Sequence, residues 1–366
     1  MKLLLAAVLL FAGNTAFSQS LRKVAEFDLK NSGGTDNVGW PVFALRFSPD
    51  SGKIAVIAGL NYDDQTRSEV SNLLVFDIVG SQVAYQAATP YSVDETEHDW
   101  PSNFQWSPDG KSIYAGERLH SLIRRETCDL MGWGGFIGND RFVARQPSGF
   151  GPDGKLSRET PFVFFDTACK QVERWIAPGD WSFLDTSPES GFMLIQSQST
   201  DSKSRETLLL KTEDKTVVAR WPRTQVWASR FADHGRAMCG VRDSSDADKV
   251  PVLCWATATG QPIAEAPTVS GGKPFSVATQ ATRAVVSDYR RSRIPFSREY
   301  REVLKHRVVW DFGTGKELAA WYPDKQEYRI SGGKPFSSLF RFTISPDGRF
   351  LAEGGSGVVR IFRIGE

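Results

Sequence analysis

Apart from Leu3 to Ala12, which is too short, the chain has no apolar run approaching the ~20 residues that a membrane-spanning helix needs. It also lacks an excess of charge of either sign: Lys and Arg number 44, Asp and Glu 43. No net field therefore draws it to nucleic acid or to an anionic membrane. Histidine is scarce, with four isolated residues at 98, 120, 234 and 306. There is no H-E-x-x-H and no C-x-x-C, and Gly354-Gly355-Ser356-Gly357 misses the final spacing of G-x-S-x-G. No catalytic residue, metal or cofactor is expected, although folding that joins distant loops leaves a composite His site open. The acidic runs Asp94-Glu95-Thr96-Glu97 with Asp99, and Asp243 with Asp246 and Asp248, lack the alternating ligands around a central Gly of a calcium loop. Both read as solvated loops.

What is present begins with a leader. Lys2, the apolar run and Ala16-Phe17-Ser18 form the charged, hydrophobic and cleavage parts of a secretory signal peptide over residues 1–18. The mature chain, 19–366, is then expected in the periplasm or secreted, with no Cys near its start to take a lipid. An exported chain can carry disulfides. Cys239 in RAMCGVR and Cys254 in VPVLCWAT face each other if the hairpin turns at Asp246-Ala247, which predicts a bridge. For Cys128 and Cys169 the sequence leaves pairing and buried thiols equally open.

Helical periodicity is nearly absent after the leader, while short β-branched and aromatic runs recur between Gly, Pro, Asp and Ser. The clearest repeat is a strand-turn-strand unit: FSPDSGKIAVIAG at Phe47, WSPDGKSIYAGE at Trp106, TSPESGFMLIQS at Thr186, FADHGRAMCGV at Phe231 and ISPDGRFLAEGG at Ile344. Pro presets φ, Asp bonds back to the backbone and Gly accepts positive φ. Degenerate copies stand at Ile137 and Thr279, giving seven units about 50 residues apart, the spacing of four-stranded propeller blades. Third strands end at Asp77, Asp166 and Asp311.

Fourth strands carry a β-branched or Leu residue followed three positions later by an aromatic: Leu130 and Trp133, Val172 and Trp175, Val218 and Trp221, Leu318 and Trp321. Val83 with Gln86 and Ile263 with Ala266 keep the frame without the aromatic. The chain ends on a third strand, VVRIFRIG, and the missing fourth reappears near its start as KVAEFDLK, with Val24 and Phe27. Pairing the termini would close the ring and remove an exposed edge. The expectation is a single all-β, seven-bladed propeller over 19–366. The turns, Trp310-Asp311 and the closure resemble the WD-repeat-like bacterial β-propellers over nearly the whole mature chain. Only one blade has the Trp-Asp dipeptide and none the preceding Gly-His, so that family's buried hydrogen-bond network is not implied. The resemblance implies a rigid interaction platform, less often an enzyme.

Two sets of residues are candidates for binding. Trp40, Trp100, Trp181, Trp227, Phe275 and Phe336 stand near the start of innermost strands, where they either rim the channel or pack. Residues 59 to 69, 87 to 99, 147 to 160, 287 to 306 and 322 to 335 read as long loops, all on one face. The loop after Ser287 concentrates Arg290, Arg291 and Arg293 beside Tyr289 and Tyr300, the composition of a recognition surface and equally that of a solvated, partly helical loop. The function expected is a non-catalytic platform, acting as a monomer, for a protein, peptide or small anionic ligand. The alternative is a hydrolase or lyase acting on a lactone or sugar at the channel mouth.

Overall fold

Ser48, Ser107 and Ser345 each close a hairpin turn with one hydroxyl. Ser48 Oγ donates to Asp50 Oδ1 at 2.5 Å and accepts from Lys53 N at 2.8 Å. The same pair of bonds measures 2.7 and 2.9 Å at Ser107, and 2.6 and 2.8 Å at Ser345. Each Asp also accepts from the backbone N–H two residues on, in Gly52, Lys111 and Arg349. The turn is thus satisfied by its own side chains, which is why Ser-Pro-Asp-Gly recurs wherever a first strand must return as a second.

The computed structural model describes residues 21–29, 42–63, 68–89, 104–130, 132–147, 159–197, 206–222, 227–241, 252–266, 275–293, 300–321, 328–330, 341–355 and 357–365. They form seven four-stranded antiparallel blades. From the innermost strand outwards, blade 1 is Val42–Phe47, Lys53–Asp63, Ser68–Asp77 and Gln82–Thr89. Blade 2 is Phe104–Trp106, Ser112–Ala115, Arg118–Ser121 and Glu126–Asp129. Blade 3 is Trp133–Phe136, Arg141–Arg145, Glu159–Asp166 and Gln171–Pro178. Blade 4 is Trp181–Ser187, Phe192–Ser197, Glu206–Lys211 and Val217–Pro222. Blade 5 is Trp227–Ala232, Ala237–Val241, Val252–Ala256 and Pro262–Glu265. Blade 6 is Ser276–Val277, Arg283–Arg293, Tyr300–Asp311 and Lys316–Trp321. Blade 7 is Arg341–Ile344, Phe350–Gly355 and Val358–Ile364, completed by the N-terminal strand Leu21–Asp28. Innermost strands of successive blades touch all the way round, blade 7 meeting blade 1.

Hydrophobic packing follows from this order. Because side chains alternate across a strand, each blade has two apolar faces, and each face meets a neighbour. Seven clusters of buried residues result, one at every seam between blades. The seam of blades 7 and 1 contains Phe27 of the N-terminal strand and Leu29 just after it, both buried, so closure is a packing event as well as a strand pairing.

The outer-strand signature has a definite structural meaning. Val24, Val172, Val218, Ile263 and Leu318 are each skipped in the pairing with the third strand, so each is the extra residue of a β-bulge. A bulge twists an edge away from further pairing. The residue three positions on then returns to the blade face: Phe27 and Trp221 are buried, and Trp175 stacks on Phe162 at 5.2 Å. Two readings need correction. In blade 1 the bulge is Ala84, not Val83, so the frame is Ala84 with Ala87. In blade 2 the short outer strand ends at Asp129 with no bulge, and Trp133 opens the innermost strand of blade 3.

Loops assigned at 59–69 and 287–306 are corrected as well, since both are largely strand. In blade 1 the second and third strands continue pairing to Asp63↔Ser68. In blade 6 they continue to Arg293↔Tyr300, and Tyr328–Ile330 adds a further strand against Arg301 to Val303. Long β hairpins satisfy their own backbone groups, so length between blade strands is no sign of irregular chain.

Both cysteine pairs are bridged. Cys239 and Cys254 are opposite in register with Cα atoms 4.0 Å apart, and Cys128 pairs with Cys169 at 6.5 Å between Cα atoms.

Candidate functional site

Two residues before the residue that opens each first-to-second turn, every blade places one side-chain position toward the centre of the ring. Read round from blade 1 these are Arg46, Gln105, Gly135, Asp185, Arg230, Ser276 and Thr343. All but Gly135 line a cavity of about 170 Å³ that reaches the turn residues Pro49, Pro108, Glu189 and His234. The cavity is therefore on the tight-turn side of the channel, and one repeated position supplies six of its polar lining residues, beside Thr186, Ser187, Glu189, His234, Thr279 and Gln280.

Asp185 organises this ring. Its Oδ1 accepts from Gln105 Nε2 at 3.0 Å and its Oδ2 from Phe231 N at 3.0 Å, which ties blade 4 to blades 2 and 5. Gln105 reaches so far because blade 3 presents glycine beneath it: a Cβ on Gly135 would stand 2.7 Å from Gln105 Oε1 and 2.5 Å from Thr186 Oγ1. Gln105 Oε1 in turn accepts from Phe136 N at 3.2 Å. Burial pushes the Asp185 carboxyl above its ordinary pKa, opposed by the Arg230 charge, backbone N–H bonds and the Arg46 charge. Arg46 and Arg230 each direct Nη1 to a carbonyl of their own strand, Leu45 O at 3.5 Å and Ser229 O at 3.0 Å.

The innermost strands carrying these three charges are irregular. The Arg46, Asp185 and Arg230 strands each shift register against their second strand, at Val42/Ala44, Phe183/Asp185 and Trp227/Arg230. The strands of Gln105, Gly135, Ser276 and Thr343 pair without a shift. Bulges re-aim side chains, and here they accompany the charged positions alone.

The rim departs from the repeat in blades 3 and 6, with Asn139 and Gln280 at the turn, and in blades 4 and 5. The turn position held by Asp50, Asp109 and Asp347 is occupied in blades 4 and 5 by Glu189 and His234. Glu189 Oε2 meets His234 Nδ1 at 2.6 Å, a bond between adjacent blades where the turns of Ser48, Ser107 and Ser345 bond to themselves. His234 adopts φ 55°, in the left-handed region. Among the described residues no three His, Cys, Asp or Glu side chains gather to hold a metal ion.

The residues singled out in the sequence fall elsewhere. Trp181 is buried and donates Nε1 to Pro178 O at 2.8 Å, and Phe275 is buried in the seam of blades 5 and 6. Trp227 opens its strand opposite Val241, while Trp40, Trp100 and Phe336 lie outside the described residues, as do the acidic runs 94–99 and 243–248. Tyr289, Arg290, Arg291, Arg293 and Tyr300 come together on the blade 6 hairpin, paired with Leu304, Val303, Glu302 and, for Arg293, Tyr300 itself. The channel ring was missed in the sequence, although counting back from each Ser-Pro-Asp-Gly turn finds it.

No protein-family model matches the sequence, and no curated protein matches it. Among solved structures, a chain of the mitotic checkpoint complex is similar at 13% identity and TM-score 0.52, covering 94% of this chain and 96% of its own. Hydrazine synthase of Kuenenia stuttgartiensis is similar at 13% identity and TM-score 0.51, over 90% and 97% of the two chains. The Dos1 propeller is similar at 10% identity and TM-score 0.50, over 94% and 95%. At such identities the likeness shows a WD-repeat-like propeller fold and no activity.

Proposed function

We propose that this chain is an exported, non-catalytic binding platform whose long-loop face engages an acidic protein or peptide. One observation carries the reading. The second and third strands of blade 6 run on past their blade, from Asp288↔His306 to Arg293↔Tyr300, and Tyr328–Ile330 widens the projection. Six residues beyond the blade correspond to about 20 Å of extended strand. A basic, aromatic-bearing hairpin held off a rigid ring is suited to pair carboxylates, because the guanidinium plane bonds them bidentately and stacks on aromatic faces.

Export is supported by the leader over residues 1–18 and by the two disulfides, which persist in oxidising compartments. Among the described residues no helix is long and apolar enough to cross a membrane. The test is a triple variant, Arg290→Ser with Arg291→Ser and Arg293→Ser, in the mature chain. It should melt within a degree or two of the wild type, since surface substitutions lie within about 0.5 kcal/mol of neutral. It should also lose the partner that immobilised wild type retains from the native extracytoplasmic fraction, and that retention should weaken with salt. Salt-insensitive capture by the triple variant would overturn the reading.

A further inference from the structure

The turn that joins first to second strand carries an acid in blades 1, 2 and 7, and there the turn itself engages it. Asp50, Asp109 and Asp347 each accept from their own Ser and from a backbone N–H two residues on. None of the three lines the channel cavity, and these turns present Pro49, Pro108 and Pro346 to it instead. Blades 4, 5 and 6 carry Glu189, His234 and Gln280 at the same position, and all three line the cavity. Glu189 is one methylene longer than Asp, and its Oε2 reaches across to His234 Nδ1 at 2.6 Å. Gln280 donates Nε2 to Pro49 O at 3.4 Å and its backbone N–H to Pro346 O at 2.9 Å, which fixes it at the rim. The side chains of Glu189 and His234 are 42% and 50% exposed, so both are open to a ligand at the mouth. At the level of the turns the rim therefore has two unlike arcs. Three hydrogen-bonding side chains on successive blades face three prolines on the next successive blades, 7, 1 and 2.

We propose that this mouth binds a neutral monosaccharide, a single pyranose ring whose hydroxyls meet Glu189, His234 and Gln280 while its apolar face lies against Pro346, Pro49 and Pro108. Charge disfavours ions of either sign: an anion meets Glu189 and Asp185, and a cation meets Arg46 and Arg230, all in one cavity. Hydrogen-bonding character points to hydroxyls. A carboxylate only accepts, an amide both donates and accepts, and the His234 ring offers one nitrogen beyond that bonded to Glu189. A hydroxyl also does both, so a ligand bearing several can match this mixed set, whereas one with acceptors alone or donors alone leaves groups unmatched. The volume limits size: about 170 Å³ is below the range of roughly 300–1,000 Å³ typical of drug-sized ligands. A few placed polar groups against an apolar wall fix orientation, and a sugar ring has the corresponding division, with hydroxyls around its edge and C–H groups on its face. The site opens on the tight-turn side of the ring, away from the blade 6 projection, so the two proposals stand or fall separately.

Ligand-observed NMR titration of residues 19–366 with D-glucose, D-galactose and D-mannose tests it, with glucuronate and glucosamine compared at equal ionic strength. At least one of the neutral sugars should bind saturably in the millimolar range or tighter, and both charged sugars at least about threefold more weakly. Glu189→Asp rebuilds in blade 4 the Ser-Pro-Asp turn of blades 1, 2 and 7, so the carboxylate should withdraw from the cavity to its own turn. This variant should melt no lower than wild type, because the turn gains its own closure and an exposed pair such as that with His234 contributes little. It should nevertheless bind the sugar at least about fivefold more weakly. Gln280→Ala leaves Glu189 in place and should weaken the same sugar several-fold. No saturable binding of any neutral sugar up to about 50 mM, tighter binding of a charged sugar, or unchanged affinity in either variant would each overturn the proposal. The blade 6 triple variant should bind the sugar like wild type; a loss there would also count against a separate channel site.

Discussion

Arg307 Nη1 donates to Glu353 Oε1 at 2.8 Å across the seam of blades 6 and 7, at the foot of the projecting hairpin. Trp321 Nε1 donates to the same oxygen at 2.9 Å, and the Arg307 guanidinium lies 4.6 Å from the Phe342 ring centroid. Arg307 is only 1% exposed. Glu353 is a carboxylate partner of this buried cation, and breaking a buried pair typically costs about 3–5 kcal/mol. Glu353→Ala should therefore lower the free energy of unfolding by that order in urea titrations, and Glu353→Gln, which keeps an acceptor for Trp321, by less. An unfolding curve for Glu353→Ala that overlays the wild type would show the pair is dispensable.

Ring closure predicts a second effect. Deleting residues 21–30 removes the pairing of Leu21–Asp28 with Val358–Ile364 and takes Phe27 and Leu29 out of the core. Burial of each such side chain is worth roughly 1.5–3 kcal/mol. The truncated chain should melt well below the intact one and aggregate through the uncovered edge. Equal melting temperatures would mean that the ring does not depend on its N-terminal strand.

The Cys239–Cys254 bridge closes a short loop with a sequence separation of 15. The chain-entropy model gives about 3 kcal/mol for such a loop. Replacing both with Ser should lower unfolding stability by about that amount under oxidising conditions and by much less when the wild type is reduced. Mass mapping of the unreduced protein that finds both thiols alkylated after unfolding would refute the bridge.

His120 sets a pH dependence. It is fully buried between blades 1 and 2, with Nδ1 3.3 Å from Tyr85 Oη, and burial, aided by the Arg118 charge, lowers its pKa to about 4. The unfolded chain takes up this proton near pH 6.5 and the folded protein only near 4. Between these values the unfolded state binds the extra proton, so stability falls as pH decreases from about 6.5 to about 4. His120→Gln should flatten that segment of the stability profile. A variant whose profile keeps the wild-type slope would assign the dependence to other groups.

Much of the ring was legible because its signals are local. Ser48, Ser107 and Ser345 reveal their turns by composition, since each turn is closed by its own Ser and Asp. Val24 with Phe27 revealed the displaced fourth strand for a similar reason, because a bulge needs only one strand's residues to be recognised. The errors arose where the blade itself is irregular. Trp133 mimics the outer-strand spacing because Leu130 follows directly on the short outer strand of blade 2, and the aromatic three positions on already opens the next blade. The blade 6 hairpin looked like a loop because Arg and Ser interrupt its alternation, and its strands extend beyond the blade where no core demands apolar residues. The channel ring escaped because Asp185, Gln105 and Gly135 lie far apart in sequence, and only closure of the ring places a glycine beneath the Gln105 side chain.

Hydrogen exchange of residues 19–366, free and bound to the partner retained by the wild-type surface, tests the platform most directly. The account predicts that protection on binding concentrates at residues 288–293, 300–306 and 328–330, with the turns at Pro49, Pro108, Pro188 and Pro346 unchanged. Protection confined to those turns, with the blade 6 projection exchanging as in the free protein, would contradict it.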